Sequence, residues 1–220
     1  MKKSFLKFFY KVFYYQYVRL KPLNFESEIV HRKEIIQKLI DHNNYTSYLE
    51  IGCFQDEVFS YIDCKKKIGV DPIQGGNTRL TSDVFFKNNK DKFDCIFIDG
   101  LHTYDQCKKD VFNSLRFLNK DGIILIHDCL PTSFLEQTDI RLTSNWYGTV
   151  WKCMVELRTM DNIETYTINC DSGIGVVQKK KGTNRLILDK KINKITFKDF
   201  YYNYKNWLRL ISYDEFKKNF

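Results

Sequence analysis

Two hydrophobic periods alternate along the chain. Residues 48–52 (YLEIG), 67–71 (KIGVD), 93–99 (FDCIFID) and 122–126 (GIILI) are short apolar runs ended by a polar or turn residue. Such runs predict strands, and their near-continuous apolar character implies burial on both faces. Between them the apolar positions shift to helical spacing. Residues 27–42 predict a helix with Ile29, Ile36, Leu39 and Ile40 on one face and Val30 and Ile35 flanking it. A short helix is expected through Val58 and Tyr61, and another over 104–118 on Val111, Leu115 and Leu118, closed by a turn at 119–122. A helix near 150–158 precedes strands at 164–169 and 173–178, which lie too close together for a helix between them. The alternation predicts an α/β fold, a doubly wound, mostly parallel sheet with right-handed crossovers and an antiparallel hairpin at one edge.

The ends follow another pattern. Residues 1–24 hold six basic and no acidic side chains, and residues 179–220 hold twelve basic and four acidic ones, so the +8 net charge is concentrated outside an acidic middle. This divides the chain into a basic aromatic N-terminal helix (1–24), a central domain (25–180) and a basic helical C-terminal appendage (181–220). In residues 4–20 (SFLKFFYKVFYYQYVRL), Lys3, Lys7 and Lys11 recur every four positions, and Phe5, Leu6, Phe9, Val12, Phe13 and Tyr17 fall largely opposite them. Lys7 and Lys11 interrupt any signal-peptide core. A helix of this kind either lies in a membrane interface or packs its aromatic face on the domain.

Composition narrows the class. A hydrophobic share of 43% excludes disorder throughout, and the absence of any apolar run of about 18 residues excludes a conventional membrane span. The seven cysteines contain no CxxC pair, which points to reduced thiols in a cytoplasmic protein, with basic ends suited to the inner face of a membrane.

The candidate chemistry lies at strand ends. Glu50 and Gly52 close the first strand, Asp71 the second, Asp99 the third, and His127 and Asp128 follow the fourth. In an open parallel sheet, ligands bind beyond the carboxyl ends of the strands, so four strands deliver an acid or a histidine to one edge. Each acid taken singly could instead cap the next helix.

In order and spacing, LEIG at 49–52, GVDP at 69–72, TSD at 81–83 and FDCIFIDGLHTY at 93–104 resemble class I S-adenosylmethionine-dependent methyltransferases. IDGLHTYDQ, NSLRFLNKDGIILIHDC and the later WYGTVWK resemble a bacterial group of small-molecule and sugar O-methyltransferase-like proteins. The resemblance covers roughly residues 27–178. It implies S-adenosylmethionine as cofactor, with Glu50 among its binding residues, Gly52 near its methionine portion, Asp71 on the ribose hydroxyls, Asp83 on the adenine side and Asp99 near the sulfonium and amino group. One position departs from the family pattern. Asp56 stands where a second glycine is expected, so its side chain either narrows the pocket or the loop takes another path.

Methyl transfer is a direct displacement that depends on alignment, and a hydroxyl acceptor also benefits from a base. His102, His127 and Asp128 are the catalytic candidates. His102 matches the family's IDGxH segment, and each histidine has a structural alternative as a satisfied hydrogen-bonding partner. Asp99 and Asp128 are candidate ligands for a magnesium ion, an oxygen-seeking cation. Trp146 and Tyr147 could stack on a sugar ring or wall an acceptor pocket, with Gly148 as hinge and Thr149 as helix cap. Two classes follow: O-methylation of a sugar, glycan precursor or small metabolite, or a non-catalytic binding scaffold whose basic ends contact membrane or anionic partners. Nucleic-acid methylation is disfavoured, because no Asn/Asp-Pro-Pro-aromatic motif occurs.

Overall fold

In the computed structural model, residues 3–25 and 29–218 are described. Seven strands form one sheet: β1 (Ser47–Ile51), β2 (Lys66–Val70), β3 (Phe93–Ile98), β4 (Leu118–Ile126), β5 (Glu164–Ile168), β6 (Ile174–Gln178) and β7 (Leu210–Ile211). Their order is β2-β1-β3-β4-β6-β5-β7. The first four strands are parallel; beyond β4, β6 runs antiparallel to both of its neighbours, β4 and β5. The two-residue β7 lies outside this hairpin, parallel to β5.

The strand period of two separates the apolar runs into two cores. Ile96, Ile98, Ile124 and Ile126 face α4 (Ser82–Asn88), α5 (Tyr104–Phe117), α6 (Val150–Leu157) and α7 (Phe197–Trp207). Cys95, Phe97, Ile123 and Leu125 face α3 (Arg32–Asn43) and α8 (Tyr213–Lys217). Trp151 of α6 is fully buried, its ring 4.6 Å from that of Phe200. Capping boxes at Thr196/Asp199 and Ser212/Glu215 start α7 and α8. Among the described residues, no helix is long and apolar enough to cross a membrane.

Several element boundaries differ from expectation. The N-terminal helix breaks at Tyr14 into α1 (Lys3–Phe13) and α2 (Tyr15–Val18). Helix α3 starts only at Arg32, and Ile29, expected in its apolar face, is 95% exposed; Ser27 lies outside the described residues. The segment through Val58 and Tyr61 forms turns, although Val58 and Ile62 are still buried. Leu118, expected at a helix end, opens β4 instead by pairing with Phe93. The register then shifts before Cys95 pairs with Ile123, and this irregularity absorbs the expected turn.

Candidate active site

The carboxyl ends of β2, β1, β3 and β4 open into one cleft of about 880 Å³. Glu50, Gly52, Asp71, Asp83, Asp99, His102, His127, Asp128 and Trp146 all line it. Tyr147 lies outside it, in a smaller adjoining cleft of about 330 Å³.

On one side the cleft is shaped by backbone. Gly52 has φ 88°, and a Cβ there would lie 2.3 Å from the Asp99 carbonyl oxygen, so only glycine lets the β1 and β3 exits approach this closely. Asp71 accepts from the backbone N–H groups of Ile73 (2.8 Å), Gln74 (3.0 Å) and Phe54 (3.1 Å). Burial alone would raise its pKa, but these donors hold it below the usual carboxylate range. Glu50 is buried and accepts from the Tyr48 hydroxyl at 2.6 Å. Burial, with Asp99 and Asp56 nearby, pushes its carboxyl up to about 8, so Glu50 is largely neutral at pH 7. Asp83 sits exposed at the rim on the first turn of α4, 3.2 Å from Gln106 Nε2.

The departure at Asp56 has a local solution. The residue takes φ 62°, and its Oδ1 accepts from the Gly76 N–H at 2.6 Å. A left-handed backbone is within reach of aspartate, and here it ties one loop to the next. Asp56 does not line the cleft, so it does not narrow it.

On the other side stands a cluster of charges. His127 Nδ1 lies 3.2 Å from Asp99 Oδ1, and its Nε2 lies 3.0 Å from the Asp171 carbonyl oxygen. Burial opposes charging this ring, but Asp99, Asp128 and Asp171 outweigh it and raise the pKa well above the ordinary histidine value. Each His127 nitrogen faces an acceptor, which favours the charged ring. Arg32 reaches the same group: its backbone N–H donates to Asp171 Oδ2 at 2.6 Å, and its Nε lies 3.7 Å from Asp99 Oδ2. Burial would raise the pKa of Asp99, but His127 and His102 keep it far below the carboxylate range.

His102 is held differently. Its Nδ1 lies 2.7 Å from the Trp146 carbonyl oxygen and 3.0 Å from Asp128 Oδ2, while Nε2 faces Asp99 Oδ1 at 3.5 Å. A carbonyl only accepts, so Nδ1 carries the hydrogen in the neutral ring and Nε2 the lone pair. Burial works against protonation, but the bond to Asp99 and the charge of Asp128 raise the pKa. The Trp146 indole stacks on the imidazole at 5.0 Å and 21°. Gly148, at φ 58°, lets this segment lie against the His102 loop: a Cβ there would fall 1.7 Å from the His102 carbonyl oxygen. Thr149 N–H donates to that same oxygen at 2.9 Å. Thr149 was expected to cap α6 with its side chain but makes no such bond. Its hydroxyl accepts from the Tyr104 N–H at 2.8 Å and donates to Asp139 Oδ1 at 2.6 Å, joining the start of α5 to the loop before α6.

Asp99, His102 and Asp128 form the one group of potential metal-binding side chains among the described residues, their ligand atoms within 4.8 Å of one another. The arrangement does not fit magnesium. Both Asp99 oxygens face Arg32, His102 or His127, and both Asp128 oxygens face His127 or His102. A hard cation needing several oxygen ligands would have to displace these nitrogen partners. The cleft does fit S-adenosylmethionine. Gly52 leaves bare backbone for close approach, and Asp71, Asp83 and Asp99 supply negative charge for a cationic nucleoside.

Sequence reasoning missed Arg32, Asp171 and Gln106. Arg32 and Asp171 are 139 positions apart, and neither stands in a strand-end pattern. The only signal was the DSG turn between the last two predicted strands, where Asp171 and Ser172 both take positive φ.

Residues 49–129 match a family described as a methyltransferase domain. No curated protein matches the sequence significantly. Among solved structures, the Bacillus cereus O-methyltransferase in complex with S-adenosylhomocysteine (SAH) superimposes with a TM-score of 0.52 at 14% identity, covering 81% of this chain and 92% of that one. SAH-bound PaMTH1, a Podospora anserina methyltransferase, gives 0.52 at 15% identity over 68% of this chain and 78% of its own. The O-methyltransferase TomG of Streptomyces achromogenes, in complex with S-adenosylmethionine and involved in tomaymycin synthesis, gives 0.51 at 9% over 68% and 79%. At these identities the likeness concerns the fold. The chain therefore has the fold of class I methyltransferases, and its residues 49–129 are similar to that family's domain.

Proposed function

We propose that this chain transfers a methyl group from S-adenosylmethionine to a hydroxyl of a sugar, glycan precursor or small metabolite. The observation that carries the reading is the position of His102 at the junction of the two clefts. With Asp128, Arg141 and Trp146 it lines both of them. The smaller cleft adds Ser144, Asn145, Tyr147 and Ser172, a polar wall with an aromatic plane that suits a hydroxylated acceptor.

When bound, S-adenosylmethionine supplies a methyl group activated by its positively charged sulfur. Asp71, already ionised and oriented by three backbone donors, offers its remaining lone pairs to ribose hydroxyls. Asp99 turns negative charge towards the sulfonium side, and neutral Glu50 keeps the floor of the cleft from competing with it. The Trp146 carbonyl fixes the His102 tautomer, leaving Nε2 to accept the acceptor's proton. Asp99 Oδ1, 3.5 Å from Nε2, stabilises the imidazolium that results. His127 has no free lone pair; it anchors Asp99 and joins it to Asp171. The raised His102 pKa means that the free ring is protonated at mildly acidic pH, so turnover should rise with pH through a value above the ordinary one.

Calorimetry of the full chain with S-adenosylmethionine and SAH tests the first half of the reading, and absence of binding to either overturns it. Methyl transfer to hydroxylated acceptors tests the second. His102→Ala should lower turnover roughly 10²–10⁴-fold while leaving cofactor affinity within about twofold. Unchanged turnover would remove the base from His102.

A further inference from the structure

The aromatic N-terminal helix does not use its apolar face to hold itself on the domain. On a wheel of 3.6 residues per turn, Phe5, Phe8, Phe9, Val12 and Phe13 of α1 share one broad arc, and Lys3, Lys7 and Lys11 share another. The side chains turned to the protein lie between the two and overlap the lysine arc at Lys7. Leu6, Lys7 and Tyr10 are half-buried, and Tyr10, Tyr14 and Tyr17 stand 6.3, 5.3 and 5.1 Å from the ring of Phe134. The five residues of the apolar arc are 40–67% exposed, and no residue of α1 is buried. An aqueous surface rarely carries so many large apolar side chains side by side without a partner.

We propose that α1 is a membrane-docking helix that lies in the plane of an anionic lipid surface, its phenylalanines in the acyl boundary and its lysines at the headgroups. Three features select this occupant. The apolar arc is flanked by the lysine arc on its side away from the domain, and residues 1–24 contain no acid, so the segment is complementary to anionic lipid along its whole length. A second copy of the chain would bring two such unbroken positive segments together. The tyrosine stack on Phe134 and the Leu23 N–H bond to the Thr132 carbonyl oxygen (2.8 Å) moor the segment to the domain while leaving the apolar arc free. This proposal is independent of methyl transfer and stands or falls by itself.

The test is co-sedimentation of the full chain with vesicles of phosphatidylcholine alone or containing about a third phosphatidylglycerol, at low salt and at about 0.5 M salt. Binding is expected to the anionic vesicles only and to fall with salt, because the screening length shortens from about 10 Å at 0.1 M to about 4 Å at 0.5 M. Each lysine near the surface is worth about fivefold in partitioning, so Lys3→Gln/Lys7→Gln/Lys11→Gln should lose roughly a hundredfold at low salt. Phe8→Asp/Phe13→Asp should abolish binding at both salts while leaving the melting temperature unchanged, because both side chains are about two-thirds exposed. Full-length protein that ignores anionic vesicles at low salt overturns the proposal, as does equal binding by Phe8→Asp/Phe13→Asp. Concentration-dependent dimerisation that this variant removes would overturn it too, by seating a second copy on the face.

Discussion

Gly148→Ala tests the central geometric claim, that the segment 146–149 holds His102 in register. The added methyl would start 1.7 Å from the His102 carbonyl oxygen, so the two loops must part by roughly 1.5–2 Å to restore van der Waals distance. Alanine at φ 58° also costs about 1–2 kcal/mol for its left-handed backbone. Parting the loops breaks the Thr149-to-His102 hydrogen bond and the Trp146 stack, together about 1–2 kcal/mol. A loss of about 2–4 kcal/mol is expected, which for a chain of this length lowers the melting temperature by about 4–16 °C. Nuclear magnetic resonance titration of the His102 ring supplies a readout that general loosening does not move in a specific direction. Without the Trp146 carbonyl on Nδ1 and with Asp99 and Asp128 further away, its pKa should fall towards the ordinary value. A melting temperature within about 1 °C of the parent and an unmoved His102 titration would refute the clamp.

Other outcomes follow from the same cluster. Because the His127 pKa is raised, its contribution to stability is complete below about 6.5, the unfolded value, and disappears as pH rises through the folded value. Thermal melting should therefore decline on the alkaline side, and His127→Ala should flatten that decline while costing about 3 kcal/mol or more; an unaltered pH profile would count against the buried ion pair. Asp71→Ala should weaken S-adenosylmethionine by about 1–3 kcal/mol and also lower the melting temperature, since three backbone donors lose their acceptor. Equal affinity in calorimetry would remove Asp71 from the cofactor site. Magnesium at millimolar levels should not raise the melting temperature, nor EDTA lower it. A rise of several degrees that saturates with magnesium would mean that the ion displaces the histidines from Asp99 and Asp128.

What the sequence determined by itself is the layered sheet and the edge that carries the site. A buried parallel strand must be apolar on both sides, so FDCIFID and GIILI announce themselves. The first polar residue after such a run stands at the carboxyl edge by construction. Glu50, Asp71, Asp99, His127 and Asp128 were therefore legible before any coordinate, as was the cleft they would share. Tertiary structure alone decided which partner each charge meets. Arg32 and Asp171 enter the cluster from a helix start and a hairpin tip 139 residues apart, because α3 and the β5–β6 turn meet above the same strand ends. Packing also turned Asp56 to Gly76, converted Thr149 from a cap into a bridge, and aimed the phenylalanines of α1 away from the domain. Hydrophobic periodicity records how deeply each residue is buried along one element. It carries no record of which element lies opposite, and the pairing of charges, the tautomer of His102 and the free face of α1 all depend on that neighbour.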